Sequence, residues 1–394
     1  MNQFLIEYGQ SGIGPYVIAV VKILIVVLAF AFPIGSLMTL IGDRKQSSFI
    51  QNRVGPNRAR LPFLKSSLFG IPHFIADGIK MVLKEDIIPA NANRFWHNLA
   101  PAVSLFPAIV IWATIPFADI YCAGTIMIGP DYVEHCIGTE FNLFSVADLD
   151  GGLLYIFAIS AIAVYGAAIA GWASNSKFSL LGAIRSTSQM ISYEVTMALS
   201  VLGLIMIYGT LNMNEMAQWQ GRLLWGWLPA WGIVIQPLSF FLFFIAMMAE
   251  TKRAPFNAPE GESEIVAGYF TEFSSMKFGV IQLSEYVATV FVGALIATMF
   301  LGGWQVPYLY GSGILIGPAD DPWFTQELPY ALVILARVGS FSVKTLFILW
   351  LQFMLRWTLP SFRYDQIMTL GWKILLPLSI ANAVVTAIVY FIIL

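Results

Sequence analysis

The chain has 394 residues, 58% of them hydrophobic and only 11% charged, with a formal net charge of −2. Soluble domains are nearer a quarter charged, so the composition excludes an ordinary soluble protein and describes a polytopic, all-α membrane protein. The balance of charge gives no reason to expect a nucleic-acid partner.

Met1 to Pro15 contains Glu7 but no Lys or Arg, so it lacks the basic segment of a cleavable signal peptide, and the first span is expected to be retained. Spanning helices are expected at Tyr16–Ile41, Leu99–Phe117, Gly152–Trp172, Gln189–Gly209, Gly232–Glu250, Ile281–Gly302, Tyr330–Leu351 and Trp372–Leu394. Each is near or above the ~18–20 residues that cross about 30 Å of hydrocarbon. No Pro/Gly/Ser-rich linker or charge run divides them, so 1–394 reads as one membrane domain of about eight helices. The first long loop, Gly42–Asn98, carries Arg44, Lys45, Arg53, Arg58, Arg60, Lys65, Lys80, Lys84 and Arg94. Within it, Phe63–Leu83 is apolar but interrupted by Lys65, His73, Asp77 and Lys80, which fits an amphipathic helix lying on the membrane surface. Such a helix either faces a partner or helps to admit a lipid-soluble ligand.

The next loop is of opposite character. Ala118–Gly151 holds Asp119, Asp131, Glu134, Glu140, Asp148 and Asp150 and no Lys or Arg, together with Cys122 and Cys136. Those two cysteines form a disulfide in an oxidising compartment or remain two thiols; both are compatible with the sequence. Bases return in alternate loops at Lys177, Arg185, Lys252, Arg253, Lys277, Arg356 and Arg363, while the opposite side has Arg222 alone. The positive-inside rule then places both termini outward.

Several charges fall inside the expected spans. Glu194, Glu250 and Glu285 sit within about two turns of the base-rich end of three different helices. A carboxylate at the bilayer centre costs roughly 2.5–3.5 kcal/mol, so these groups are expected to face protein or water and are candidates for a protonatable path. Glu250 has Lys252 and Arg253 beside it and Glu194 and Glu285 have no base in their own helices. Lys22, Arg337 and Lys344 also lie within spans. Lys22 is expected to pair with a buried carboxylate. Arg337 and Lys344, seven apart and so on one helix face, are candidates for a relay or for counter-charges to the acids. The loop after Glu250 is dense in acids, with Glu260, Glu262, Glu264 and Glu272 following Pro255, Pro259 and Gly261. No His or Cys accompanies them, and no metal is expected. Two cysteines and three histidines do not assemble an iron–sulfur, zinc or bis-His haem site, so no redox centre and no catalytic residue in the usual sense is expected on this chain.

Six strings make the chain resemble the quinone-site membrane subunit of respiratory complex I, the H-type subunit family of NADH-quinone oxidoreductase. They are RVGPNR at Arg53–Arg58, ADGIK at Ala76–Lys80 with KEDIIP at Lys84–Pro89, and GWASNSKFSLLGAIRSTSQMISYE at Gly171–Glu194. AETKRAPFNAPEGESEIVAGY at Ala249–Tyr269, TEFSSMKF at Thr271–Phe278 and FRYDQIMTLGWKILLP at Phe362–Pro377 complete the set. The resemblance implies a quinone, ubiquinone or another, as substrate, with FMN and iron–sulfur clusters in partner subunits. It implies peripheral iron–sulfur subunits on the base-rich side, small and antiporter-like membrane subunits alongside, and a bacterial plasma or mitochondrial inner membrane. Carried onto this sequence, Asp43, Arg44, Arg53, Arg58, Asp77, Arg185, Glu260, Glu262, Glu264 and Glu272 would border the quinone chamber and its coupling loops. Glu194, Glu250 and Glu285, with Arg337 and Lys344, would form the path that couples quinone reduction to proton translocation. The chain departs from the pattern at Asp43, where Glu is usual, at Asn257 and Ala258 in the Pro-Phe-Asp-Leu string, and at Thr196, where Pro is usual. An ion-pumping subunit of a membrane-bound hydrogenase is the alternative, and an autonomous secondary transporter a more distant one, since no repeat symmetry is visible.

Overall fold

A computed structural model describes residues 14–25, 39–59, 70–119, 121–122, 125–128, 133–136, 140–141, 144–224, 228–310, 313–316 and 324–393. Among them, six helices are long and apolar enough to cross a membrane. In chain order the helices are α1 (Gly14–Ile25), α2 (Ile71–Leu83), α3 (Arg94–Val110), α4 (Gly152–Ala173), α5 (Lys177–Tyr208) and α6 (Met213–Trp219). They continue with α7 (Pro237–Glu250), α8 (Ser275–Phe300), α9 (Tyr330–Thr358) and α10 (Tyr364–Ile392). The protein is a multi-pass, mostly helical membrane protein. Of the first expected span, residues 16–25, within α1, and 39–41, in the helical segment Thr39–Gln46, are described. α7 is shorter than the span expected at Gly232–Glu250: Gln236 leaves helical geometry and Pro237 starts the helix anew.

The bundle is built around α8, the most buried of the spans, which packs against α3 and α9. α3 packs on α4, α4 on α5, and α5 on α7 and α10. Their ends alternate. Asn93 N, before α3, bonds the carbonyl of Ala173 at the end of α4, whereas Ala113 O accepts from Ala147 N at the other end.

Four helices begin well before the hydropathy pattern predicts: α3 at Arg94 instead of Leu99, α5 at Lys177 instead of Gln189, α8 at Ser275 instead of Ile281, and α10 at Tyr364 instead of Trp372. The early part of α5 is rich in Ser and Gln that are buried against protein, so they lower hydropathy without meeting lipid. Ser192 returns its proton to Ser188 O, and Gln189 Nε2 donates to Ala249 O and Phe256 O, at 2.7 and 2.9 Å. Gln189 therefore staples α5 to the end of α7, where Glu250 sits. The extensions also correct the depth expected of the acids: Glu194 and Glu285 lie well inside their helices, not in the first two turns.

The acid-rich loops add short β pairs to a fold expected to be all helical. Thr125–Ile128 pairs with Val133–Cys136, Tyr121–Cys122 with Glu140–Phe141, and Gly313–Ile316 with Leu309–Tyr310 and Phe324–Glu327. β-Branched and aromatic residues in these loops suit extended pairing. The side chains of Cys122 and Cys136 lie outside the described residues, as do Arg60 and Lys65. Of the surface helix expected at Phe63–Leu83, α2 is the described part. Pro72 lies in its first turn, and Ile71, Ile75, Ile79 and Val82 form an exposed apolar stripe.

Candidate functional site

The acid of α8 sits in a buried cluster with residues of the loop that follows α7. Glu285, on α8, is only 4% exposed at its side chain; the hydroxyl of Tyr269 donates to its Oε1, and Arg253 Nη2 lies 2.8 Å from its Oε2. Arg253 follows the end of α7, where Lys252 adopts φ +55 and breaks the helical geometry. Its guanidinium also stands 4.4 Å above the ring of Tyr286 and 3.9 Å from Glu260. Lys252 Nζ donates to Tyr269 Oη at 3.4 Å. Tyr269 is placed by close backbone packing. A Cβ on Gly182 of α5 would lie 2.6 Å from Gly268 Cα, and Gly268 itself has φ +56.

Burial and charge set the proton affinities of the loop groups. Burial, then the charge of Glu285, raises the Glu260 carboxyl to about 7, although Arg253, Arg356 and Lys252 oppose the rise. Burial works against the charge of Arg253, but Glu285, Glu260 and Asp43 more than offset it and hold its proton more firmly than usual. Burial, reinforced by Glu285, raises Tyr269 well above the ordinary phenol range, so it donates its proton to the carboxylate and keeps it.

Glu250 and Glu285 line one cavity of about 70 Å³ whose walls come from α3, α4, α5, α7 and α8. That is room for several waters. Its walls include Ser104, Ser160 and Ser284 among apolar side chains. Glu194 lies within electrostatic reach of Glu250. Glu194 Oε1 and Glu250 Oε2 are buried without a hydrogen-bond partner. Glu285 Oε2 likewise makes no hydrogen bond, but it faces the Arg253 guanidinium at 2.8 Å while Oε1 accepts from the Tyr269 hydroxyl, whereas Glu194 and Glu250 have no such base against them.

Two clefts flank the cluster toward the base-rich loops. In the first, of about 250 Å³, Asp43, Arg44 and Asp77 share the wall with Phe74, Met81 and Tyr286. Arg44 pairs with Asp77 at 2.6 Å, and Asp43 with Arg356 of α9. Burial raises the Asp43 carboxyl, with Arg356 and Arg253 pulling the other way. In the second, of about 520 Å³, Arg185 pairs with Glu264 at 2.5 Å beside Tyr364 and Arg363.

The remaining sequence candidates fall elsewhere. Arg53 is exposed and bonds Gln51, Arg58 is exposed nearby, and Glu272 neighbours His97. The side chain of Glu262 lies outside the described residues. Arg337 and Lys344 do share a face of α9, but it serves the acid-rich end. Arg337 pairs with Asp119 at 2.8 Å, and Lys344 donates to the carbonyls of Gly303 and Gln305 at 3.0 and 2.5 Å. Lys22, expected to pair with a carboxylate, donates to the carbonyl of Ser145 at 3.0 Å. Sequence reasoning missed Tyr269, and it named Arg253 and Arg356 only as loop bases. The one signal available was Arg253, which stands between Glu250 and Glu260 in a recognisable loop string; nothing in the sequence marked Arg356.

Fold and site together define a helical, multi-pass membrane protein in which a buried acid is tied through an arginine to the loops that border two polar clefts. The family model described as NADH dehydrogenase matches residues 21–387. An H-type subunit of NADH-quinone oxidoreductase from Cytophaga hutchinsonii is 41% identical, over 87% of this chain and 89% of that protein. The H-type subunit of the same enzyme from Salinibacter ruber is 39% identical, over 89% and 90%. The subunit of NADH-quinone oxidoreductase numbered 8 in Rhodothermus marinus is 40% identical, over 88% and 90%. The chain belongs to this family, that of the H-type membrane subunits of NADH-quinone oxidoreductase.

Proposed function

We propose that the chain forms much of the quinone chamber of a proton-pumping NADH:quinone oxidoreductase and couples quinone reduction to proton movement through Glu194, Glu250 and Glu285. The observation that carries this reading is the cavity shared by Glu250 and Glu285, joined through the Arg253–Glu285 pair to Glu260 in the base-rich loops. Two-electron reduction of a quinone takes up two protons or leaves a dianion. Negative charge appearing at the clefts would draw on the positive charge of Arg253 and loosen its hold on Glu285. That shift favours protonation of the acids behind it, and the coupled carboxyls pass the change into the bilayer.

In this role the chain carries no redox group. Electrons arrive from peripheral subunits bearing FMN and iron–sulfur clusters, which dock on the base-rich side, and antiporter-like subunits alongside receive the proton signal. Both termini face away from that side, in a bacterial plasma membrane or its mitochondrial equivalent. The test is proton uptake by proteoliposomes containing the whole complex with Glu194→Gln. Assembled complex that reduces quinone but moves far fewer protons supports the reading, and unchanged proton movement contradicts it.

A further inference from the structure

Behind the Arg253–Glu285 pair lies a second, much smaller cavity that the proposed path does not use. It is walled by Arg253, Arg356, Gln352, Thr251, Thr289 and Phe353, and has only about 10 Å³ open to water centres. That is the room of a single water and too little for a larger ligand. Gln352 lies on α9, one turn before Arg356, and is 5% exposed. Its Nε2 is buried without a hydrogen-bond partner, and so is Arg253 Nε. Both are donors, and a buried donor without an acceptor is unfavourable. The hydroxyls of Thr251 and Thr289 spend their protons on the carbonyls of Met248 and Glu285, which leaves oxygen lone pairs able to accept.

We propose that Gln352 is a positioning residue which, with Arg253, holds one buried water between two ion pairs, Arg253–Glu285 and Arg356–Asp43. The water accepts from Gln352 Nε2 and Arg253 Nε and donates to the threonine oxygens, so four polar groups hold it. It orients the Arg253 guanidinium, and a change in the charge of Asp43 is thereby felt at Glu285. The charged and titratable groups around this point are Arg356 on α9, Glu285 on α8, Asp43 and Arg44 from the helical segment Thr39–Gln46, and Lys252, Arg253, Glu260 and Tyr269 from the loop between α7 and α8. The inference deepens the coupling role proposed above and rests on it for its functional consequence; the water site itself does not.

Two measurements on the whole complex test it. A cryo-EM map fine enough to show ordered water is expected to hold one peak within hydrogen-bond distance of both Gln352 Nε2 and Arg253 Nε; an empty site in well-ordered density overturns the proposal. The second is Gln352→Leu, which keeps the volume and removes the donor. Quinone reduction at saturating quinone is expected to fall about fivefold, the loss of one buried hydrogen bond. The midpoint of its pH profile should also shift, with KM for quinone unchanged. A role in packing alone would lower the yield of complex and leave the profile in place, and a wild-type profile in assembled complex counts against the proposal. If the water is present but Glu194→Gln pumps normally, the coupling reading fails while the water site stands.

Discussion

At the acid-rich end of the bundle, Asp119 accepts from Arg337 on one oxygen and from Gln218 on the other, and Asp148 accepts from Asn212. Toward the base-rich end, Glu194 and Glu250 each keep a buried oxygen with no partner, and Glu285 shares its base with Glu260. The first arrangement pins loops to helices: an acid with both oxygens occupied by donors has no use for a proton. The second leaves acids whose charge state depends on what their neighbours do. The same residue types thus serve structure at one end and exchange at the other, and the difference lies in who holds each oxygen.

Substitutions at the two ends should therefore fail in different ways. The largest effect is expected from Arg253→Met, which strands Glu285 and Glu260 without their shared base. Removing one partner of a buried pair costs about 3–5 kcal/mol, so the yield of assembled complex on native gels should collapse. Asp119→Asn retains a hydrogen-bonding group for Arg337 and should cost about 1–3 kcal/mol, seen as a lower melting temperature of the complex, with protons moved per NADH unchanged. A reduced ratio in that variant would erase the contrast between the two ends.

Glu260→Gln sharpens the contrast through pH. The folded protein holds the Glu260 proton up to about 7, against an ordinary value of 4.5, so its folded-state affinity is raised. The resulting stabilisation is complete below the unfolded value and is lost as pH rises through about 7. Wild-type melting temperature should carry this decline between roughly pH 4.5 and 7, and the variant should lack it; identical pH curves would show that Glu260 does not titrate there. The smallest effect is expected from Arg44→Gln. The Arg44 side chain is 48% exposed in its pair with Asp77, so its loss should change stability by less than about 1 kcal/mol.

The acids were legible in the sequence because a carboxylate in an apolar run has nothing to hide behind. Glu194, Glu250 and Glu285 stand out for that reason, and the structure places Glu250 and Glu285 on one cavity. Their bases were not legible. Arg253 meets Glu285 after the backbone leaves helical geometry at Lys252, and a positive φ at a lysine leaves no mark in composition or periodicity. The pairing of Asp43 with Arg356 spans most of the chain. Spacing correctly put Arg337 and Lys344 on one face, but which end of the bundle that face serves depends on how the acid-rich loops fold back. The early start of α5 was hidden by its buried serines and Gln189, which read as a loop when burial in protein cannot be told from exposure to water.

In the proposed path the coupling runs through buried acids that keep an oxygen free of hydrogen-bond donors, Glu194, Glu250 and Glu285, and not through an acid with both oxygens occupied, such as Asp119. The most direct test compares Glu250→Gln with Asp119→Asn in the same reconstituted complex, measuring protons moved per NADH oxidised. The account predicts a ratio reduced severalfold in Glu250→Gln and a wild-type ratio in Asp119→Asn. A normal ratio in assembled Glu250→Gln complex, or an equal loss in both, would contradict it.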